Sequence, residues 1–188
     1  MFLLFLLPFV FVGSTVSQNI CELPVDLGTN CSKPNATEIR FYYDTSLKRC
    51  LPFGYTGCGG NENSFTGFKL CRQRCAPLDN LFCPANSSPL PNNAGSNNCG
   101  KQPMDPKCGN LNTSYCHEGP SGGVCCSLHA KKMVDEDLEP KCKDGSKKYT
   151  VFKGQKDRVV LGKLCQHNFC PTGYNCQQGN HYAYCCSK

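Results

Sequence analysis

The sequence contains no tryptophan, and its charged residues amount to 18%, below the roughly 25% of an average soluble chain. After the first dozen residues no apolar run approaches the about 18 residues that a membrane-crossing helix needs, which excludes a further spanning segment. A glycine-rich nucleotide loop and a recognisable carboxylate pair are both missing, so no frame for phosphate chemistry or acid–base hydrolysis is offered. Long helices and broad sheets are disfavoured as well, because 18 glycines and 13 prolines supply about one residue in six. The 39% counted as hydrophobic includes all the cysteines and an apolar leader. One large apolar core, and with it an ordinary doubly wound or barrel enzyme, is excluded.

Cysteine is what the chain has instead: 18 in 188 residues, the density of a disulfide scaffold from an oxidising compartment. Residues 1–12 form an apolar stretch too short to span a bilayer, and Gly13-Ser14-Thr15-Val16-Ser17 follows with small residues. Residues 1–17 are therefore expected to be a secretory signal peptide, with cleavage after Ser17 and an extracellular product. The cysteines then divide six, six and six, at 21–75, 83–126 and 142–186. The second and third sets both close on a cysteine, eight residues and a Cys-Cys pair, Cys116 to Cys125-Cys126 and Cys176 to Cys185-Cys186, which marks a diverged internal repeat. Residues 76–82 and the charged stretch 127–141 read as linkers.

Charge is uneven along the chain. Residues 142–188 hold Lys143, Lys147, Lys148, Lys153, Lys156, Arg158, Lys163 and Lys188 against Asp144 and Asp157. That excess equals the +6 of the whole chain. The basic segment 142–163 is either a solvated surface or a site for anionic polysaccharide or an anionic membrane surface; a nucleic-acid partner conflicts with the leader.

In the first module, Glu38–Asp44 alternate as a strand, Thr45–Lys48 turn, and Arg49–Tyr55 return as its hairpin partner. Residues 67–75 place Cys71 and Cys75 at i, i+4 on one helix face. Such a hairpin and helix are marginal alone, so disulfides must supply the difference.

Residues Arg40-Phe41-Tyr42-Tyr43-Asp44, Phe53-x-Tyr55-x-Gly57-Cys58-Gly59-Gly60-Asn61-x-Asn63-x-Phe65 and Cys71-x-x-x-Cys75 closely resemble the Kunitz (bovine pancreatic trypsin inhibitor) domain over 21–75. The resemblance implies an α+β module of a twisted hairpin and a short C-terminal helix, with pairs Cys21–Cys75, Cys31–Cys58 and Cys50–Cys71. It implies an aromatic core of Phe41, Tyr43, Phe53, Tyr55 and Phe65, with Asn63 as a buried amide. It also implies a substrate-like loop, Thr29, Asn30, Cys31, Ser32, Lys33 and Pro34, that a serine protease binds without productive turnover, with Ser32 in the specificity pocket. Nine residues separate Cys21 from Cys31, one more than usual, and eighteen separate Cys31 from Cys50, about three more. The longer loop carries the sequon Asn35-Ala36-Thr37; Asn86 and Asn112 begin two others. Ser32 suits a small, elastase- or chymotrypsin-like pocket better than the acidic pocket of trypsin; Lys33 takes its place only if the inserted residue shifts the register.

Cys170-Pro-Thr-Gly-Tyr-Asn-Cys176, followed by Cys185-Cys186, resembles the lustrin-type cysteine-rich repeat of secreted proteins, and 83–126 is a weaker copy. The expected fold is a small disulfide-rich multi-module protein with two mostly irregular cysteine-rich modules. Six cysteines allow fifteen pairings, and none is singled out for either repeat. Cys165-x-His167-x-x-Cys170 has the spacing of a zinc site, but oxidised sulfur is no zinc ligand. No metal, no cofactor and no catalysis are expected. The functional expectation is a secreted serine-protease inhibitor; the alternative is a non-inhibitory matrix or polysaccharide-binding protein that uses the Kunitz module as a structural element.

Overall fold

The computed structural model describes residues 19–31, 38–77, 81–120, 122–153 and 156–188. The expected leader, 1–17, lies outside them. None of the helices among the described residues is long and apolar enough to cross a membrane.

The first module opens with a 3-10 turn, Ile20–Glu22, capped by the Asn19 side chain. A short strand β1 (Thr29–Asn30) follows, then β2 (Glu38–Asp44), β3 (Arg49–Tyr55), β4 (Gly57–Cys58) and helix α1 (Phe68–Cys75). Strands β2 and β3 pair antiparallel from Glu38↔Tyr55 to Asp44↔Arg49. Alternation divides this ribbon into two faces. Phe41, Tyr43 and Cys50 face α1 and pack with Phe65, Phe68 and Cys71. Tyr42, Leu51, Phe53 and Tyr55 face the other way. Asn63, 1% exposed, fills the turn between them: it accepts from the Tyr43 amide at 2.9 Å and donates to the carbonyls of Leu23 (2.7 Å) and Tyr43 (3.0 Å). Each buried donor and acceptor of the amide thus meets a partner.

The second and third modules, expected to be mostly irregular, combine irregular stretches with strands. Each builds a three-stranded sheet. In the second, β5 (Asn98–Cys99), β6 (Ser114–Gly119) and β7 (Gly122–Ser127) lie in the order β5-β7-β6. In the third, a two-stranded ribbon β8 (Thr150–Lys153) and β9 (Lys156–Val159) precedes β10 (Leu161–Gly162), β11 (Tyr174–Gln178) and β12 (Ala183–Ser187), in the order β10-β12-β11. The middle strand of each carries the adjacent cysteine pair. Cys125 bonds Cys108 and Cys126 bonds Cys83; Cys185 bonds Cys170 and Cys186 bonds Cys142. Consecutive residues of a strand point to opposite faces, so each middle strand is stapled on both sides. With Cys99–Cys116 and Cys165–Cys176, the two modules share one connectivity: first to sixth, second to fourth, third to fifth.

The charged stretch 127–141, expected as a solvated linker, instead folds into helix α2 (Leu128–Leu138). Ser127 caps it through its hydroxyl, which accepts from the Ala130 amide. Its anchor to the third module is Asp137, 2% exposed. The carboxylate accepts from the backbone amides of Asn180 (2.7 Å), His181 (2.6 Å) and Tyr182 (3.0 Å). Linker residue Leu81 likewise packs against Cys83, Tyr115, Val124 and Cys126.

The first module is not an isolated bead. Val134 of α2 and Tyr182 of the third module join Tyr42, Leu51, Phe53 and Tyr55 in one apolar cluster. Around it, Lys163 Nζ reaches Asp44 at 2.6 Å and Ser46 at 2.8 Å, Arg49 donates to the Tyr182 hydroxyl at 3.2 Å, and Asn86 Nδ2 donates to the Ser46 carbonyl at 3.1 Å. This seam holds the turn end of the β2–β3 hairpin, where Asp44 is buried while Thr45, Ser46 and Arg49 stay exposed.

Candidate functional site

The opposite end of the hairpin leads into the loop expected to contact a protease. Thr29 and Asn30 pair with Cys58 and Gly57, and the Cys31–Cys58 disulfide closes the strand pair. Ser32, Lys33, Pro34 and Asn35 lie outside the described residues. The two that enter the loop, Thr29 and Asn30, are exposed, as are Gly57, Cys58, Gly59 and Gly60 across from them.

The base of the loop is held from three directions. The Thr56 amide and hydroxyl both donate to the Leu27 carbonyl, at 2.9 and 2.8 Å. Tyr55 donates through its hydroxyl to the Gly59 carbonyl at 2.8 Å. Asn61 Nδ2 donates to the Pro24 carbonyl at 2.8 Å. Gly28 sits at the tightest point, with φ +75°, and a Cβ there would fall 2.3 Å from the Cys58 carbonyl oxygen. Only glycine admits both that dihedral and that approach. Asp26 prepares the turn by accepting from the Gly28 amide at 2.9 Å. The Arg40 guanidinium covers the Tyr55 ring at 4.1 Å and pairs with Glu38 at 3.1 Å.

Sequence reasoning named the loop but not these supports. Asp26-x-Gly28 was a readable turn signal; the partners of Tyr55, Thr56 and Asn61 needed the folded chain. The remaining two disulfides lie deeper: Cys21–Cys75 ties the amino terminus to the end of α1, and Cys50–Cys71 ties β3 to its middle. Cys71 is fully buried. Of the other sequons, Asn112 is exposed, whereas Asn86 is half-buried in the seam with its amide on Ser46.

Titratable groups gather at the seam rather than at the loop. Burial favours the neutral form of Asp44, but the Lys163 ammonium and the donors of Ser46 and Leu47 outweigh it and hold the carboxyl below its usual range. Tyr42, buried and donating to Asp44 at 3.3 Å, is pushed above the normal phenol range. His167 lies 3.4 Å from the Tyr42 hydroxyl, and burial, reinforced by Lys163, lowers its pKa. Cys165 and Cys170, which share a zinc-like spacing with it, are both in disulfides. In the second module, the sulfurs of Cys99, Cys108 and Cys125 lie within 4.8 Å of one another, but each is bonded and none is a thiolate.

A model of the Kunitz/Bovine pancreatic trypsin inhibitor domain matches residues 20–76. A BPTI/Kunitz inhibitor domain-containing protein of Caenorhabditis elegans is 32% identical over 180 residues, which cover 94% of either chain. Major allergen Ani s 1 of Anisakis simplex is 32% identical over 169 residues, covering 88% of this chain and 86% of its own. Kunitz-type serine protease inhibitor textilinin-3 of Pseudonaja textilis textilis is 42% identical over 65 residues, covering 35% of this chain and 74% of its own. The first two alignments run through all three modules, and with the hairpin, helix and loop geometry in hand, the chain belongs to the family of Kunitz/BPTI inhibitor domain-containing proteins.

Proposed function

We propose that this chain is a secreted serine-protease inhibitor that acts by binding and not by turnover. Residues 29–34 contact the enzyme and Ser32 enters its specificity pocket. The observation that carries the reading is positional. The side-chain contacts of the seam with the other modules are made at the turn end of the hairpin, while Thr29, Asn30 and Gly57–Gly60 at the far end stay exposed on a base pinned by Cys31–Cys58. A loop held rigid before contact loses little conformational entropy on binding, which favours affinity and retention of cleaved ends. The names of relatives that carry the word inhibitor support the same reading.

Ser32 brings no charge to the buried Asp of a trypsin-type pocket, and loss of such a pair costs on the order of 2–5 kcal/mol. The preferred targets are therefore elastase- or chymotrypsin-like enzymes. A stoichiometric titration of the purified chain against elastase-, chymotrypsin- and trypsin-like proteases, before and after deglycosylation, tests this. Tight one-to-one inhibition of one of the first two classes, with trypsin at least about 30-fold weaker, is expected. Nanomolar inhibition of trypsin overturns the pocket assignment, and no inhibition of any class overturns the function.

The second and third modules then serve as lustrin-type cysteine-rich repeats that brace the inhibitor. Their shared connectivity and strand order support a common ancestry. A second reading makes the Kunitz module a structural element in a polysaccharide-binding protein, favoured by the six-charge excess of residues 142–188. Salt-sensitive heparin retention that disappears when Lys143–Lys163 are neutralised is its signature.

A further inference from the structure

Six large apolar side chains stand well exposed among the described residues, and three of them, Ile39, Leu138 and Val151, line a single cleft. The cleft, of about 680 Å³, runs between the outer edge of β3, the end of α2 and the β8–β9 ribbon, and Pro52, Leu161 and Phe169 complete its apolar wall. That size lies within the roughly 300–1,000 Å³ typical of small-molecule sites. Apolar surface left open in one place, rather than scattered, marks a binding face.

Its charge is confined to the rim. Arg49 and Arg158 line this cleft and also a neighbouring hollow of about 560 Å³, so the two guanidinium groups stand where the hollows meet. Arg49 lies over the Tyr182 ring at 5.4 Å and donates to its hydroxyl, which fixes its direction. Arg158 is exposed, and among the described residues neither arginine forms an ion pair. Of the two acidic lining residues, Glu139 is paired with Lys148 at 2.7 Å, and Asp157 remains beside the two arginines; with Lys148 counted the charges sum to +1.

We propose that this cleft binds a long-chain fatty acid, with its acyl chain along Val151, Leu161 and Phe169 and its carboxylate on Arg158, backed by Arg49. A guanidinium fork matches a carboxylate in two parallel hydrogen bonds. Two guanidinium groups beside the apolar wall of Val151, Leu161 and Phe169 fit a ligand with one anionic head and an apolar tail. A peptide segment would bring a row of backbone donors and acceptors that such walls leave unpaired. None of the lining residues belongs to the loop 29–34.

The test uses the purified chain after lipid extraction, titrated with a fluorescent polyene fatty acid and then competed with oleate or methyl oleate below micellar concentration. Native mass spectrometry reads the stoichiometry. One fatty acid per chain is expected, with methyl oleate displacing the probe at least about 10-fold less well than oleate. Arg158→Glu, a surface change outside the protease-contact loop, should weaken oleate about 10-fold or more while leaving the inhibition titration unaltered. Val151→Asp should weaken acid and ester alike. Absence of saturable binding overturns the proposal, as does equal displacement by acid and ester together with an unaffected Arg158→Glu variant. A dimer by light scattering, with the cleft closed to probe, overturns it too, because a second copy would then be the occupant.

Discussion

The Kunitz module and the two repeats are wired alike and built differently. In all three the first cysteine bonds the sixth, the second the fourth and the third the fifth. Yet the Kunitz module is a two-stranded ribbon with aromatic side chains on both faces, and each repeat is a three-stranded sheet around cystine. In the second module the buried cluster on one face is Cys99, Cys108, Cys116 and Cys125, with Leu90 as its partly buried apolar companion. A disulfide graph therefore does not choose a fold. The side chains between the cysteines do, through the alternation that gives the ribbon two packed faces and the glycines that let cystine lie against backbone.

The sharpest way to break this comparison is to remove one staple from each kind of module. Chain-entropy models rate the 27-residue Cys31–Cys58 loop above the 17-residue Cys108–Cys125 loop, although both fall at about 3–4 kcal/mol. Packing argues the reverse, because Cys125 is fully buried and Cys108 nearly so, while Cys58 is exposed. We expect Cys108→Ala/Cys125→Ala to cost at least about 2 kcal/mol more than Cys31→Ala/Cys58→Ala, since it adds a cavity in a core made of sulfur. Denaturant melts combined with limited proteolysis of residues 83–126 measure it. A larger loss from the Cys31–Cys58 pair would show that loop closure, not packing, governs both modules.

Next in size is the joint between α2 and the third module. Asp137→Ala strips three backbone amides of their acceptor and should cost roughly 3 kcal/mol or more, since each buried unsatisfied donor costs about 1–3 kcal/mol. Hydrogen exchange at residues 180–182 should accelerate before the Kunitz amides respond. Simultaneous acceleration in both would mean that the modules unfold as one unit.

The smallest effect is a pH dependence of the seam. His167 is held neutral by burial, so the unfolded chain binds its proton near pH 6.5 and the native chain does not. Stability must then rise with pH over that interval, and it falls as pH drops below about 6.5 towards the lower native pKa. Asp44 adds a second loss only below about pH 4, where its ion pair with Lys163 is protonated away. His167→Phe should reduce the first slope, leaving the share of His117, whose pKa burial also lowers, and keep the second, as read by thermal melts between pH 7 and pH 3. A slope unaltered in that variant would move the titration elsewhere.

Some of this architecture was open to reading before any coordinates. The hairpin, its turn and the i, i+4 cysteines of α1 follow from local alternation and spacing. Tyr42 was missed as a core residue because Val134, His167 and Tyr182, which help to cover its face, lie more than ninety residues away in sequence. Helix α2 was hidden by its charge: Lys131 pairs with Asp135 one turn on, and Val134 is its one buried apolar anchor. The repeat sheets escaped because strands of five or six residues crowded with cysteine show little alternation. Of the proposed contact loop, the ends Thr29–Cys31 are placed and Ser32–Pro34 lie outside the described residues.

Adjacent cysteines in the middle strand have one more consequence. Val124 and Cys126 share a face, and Cys125 looks the other way towards Cys108. If the strand shifted along its neighbours by a single position, each sulfur would face the other's partner, and Val124 would leave Tyr115 for the opposite face. Thermal agitation does not reverse such an error; only a thiol able to reopen the bonds does. Maturation of this protein is thus tied to the disulfide-exchange capacity of the compartment that makes it.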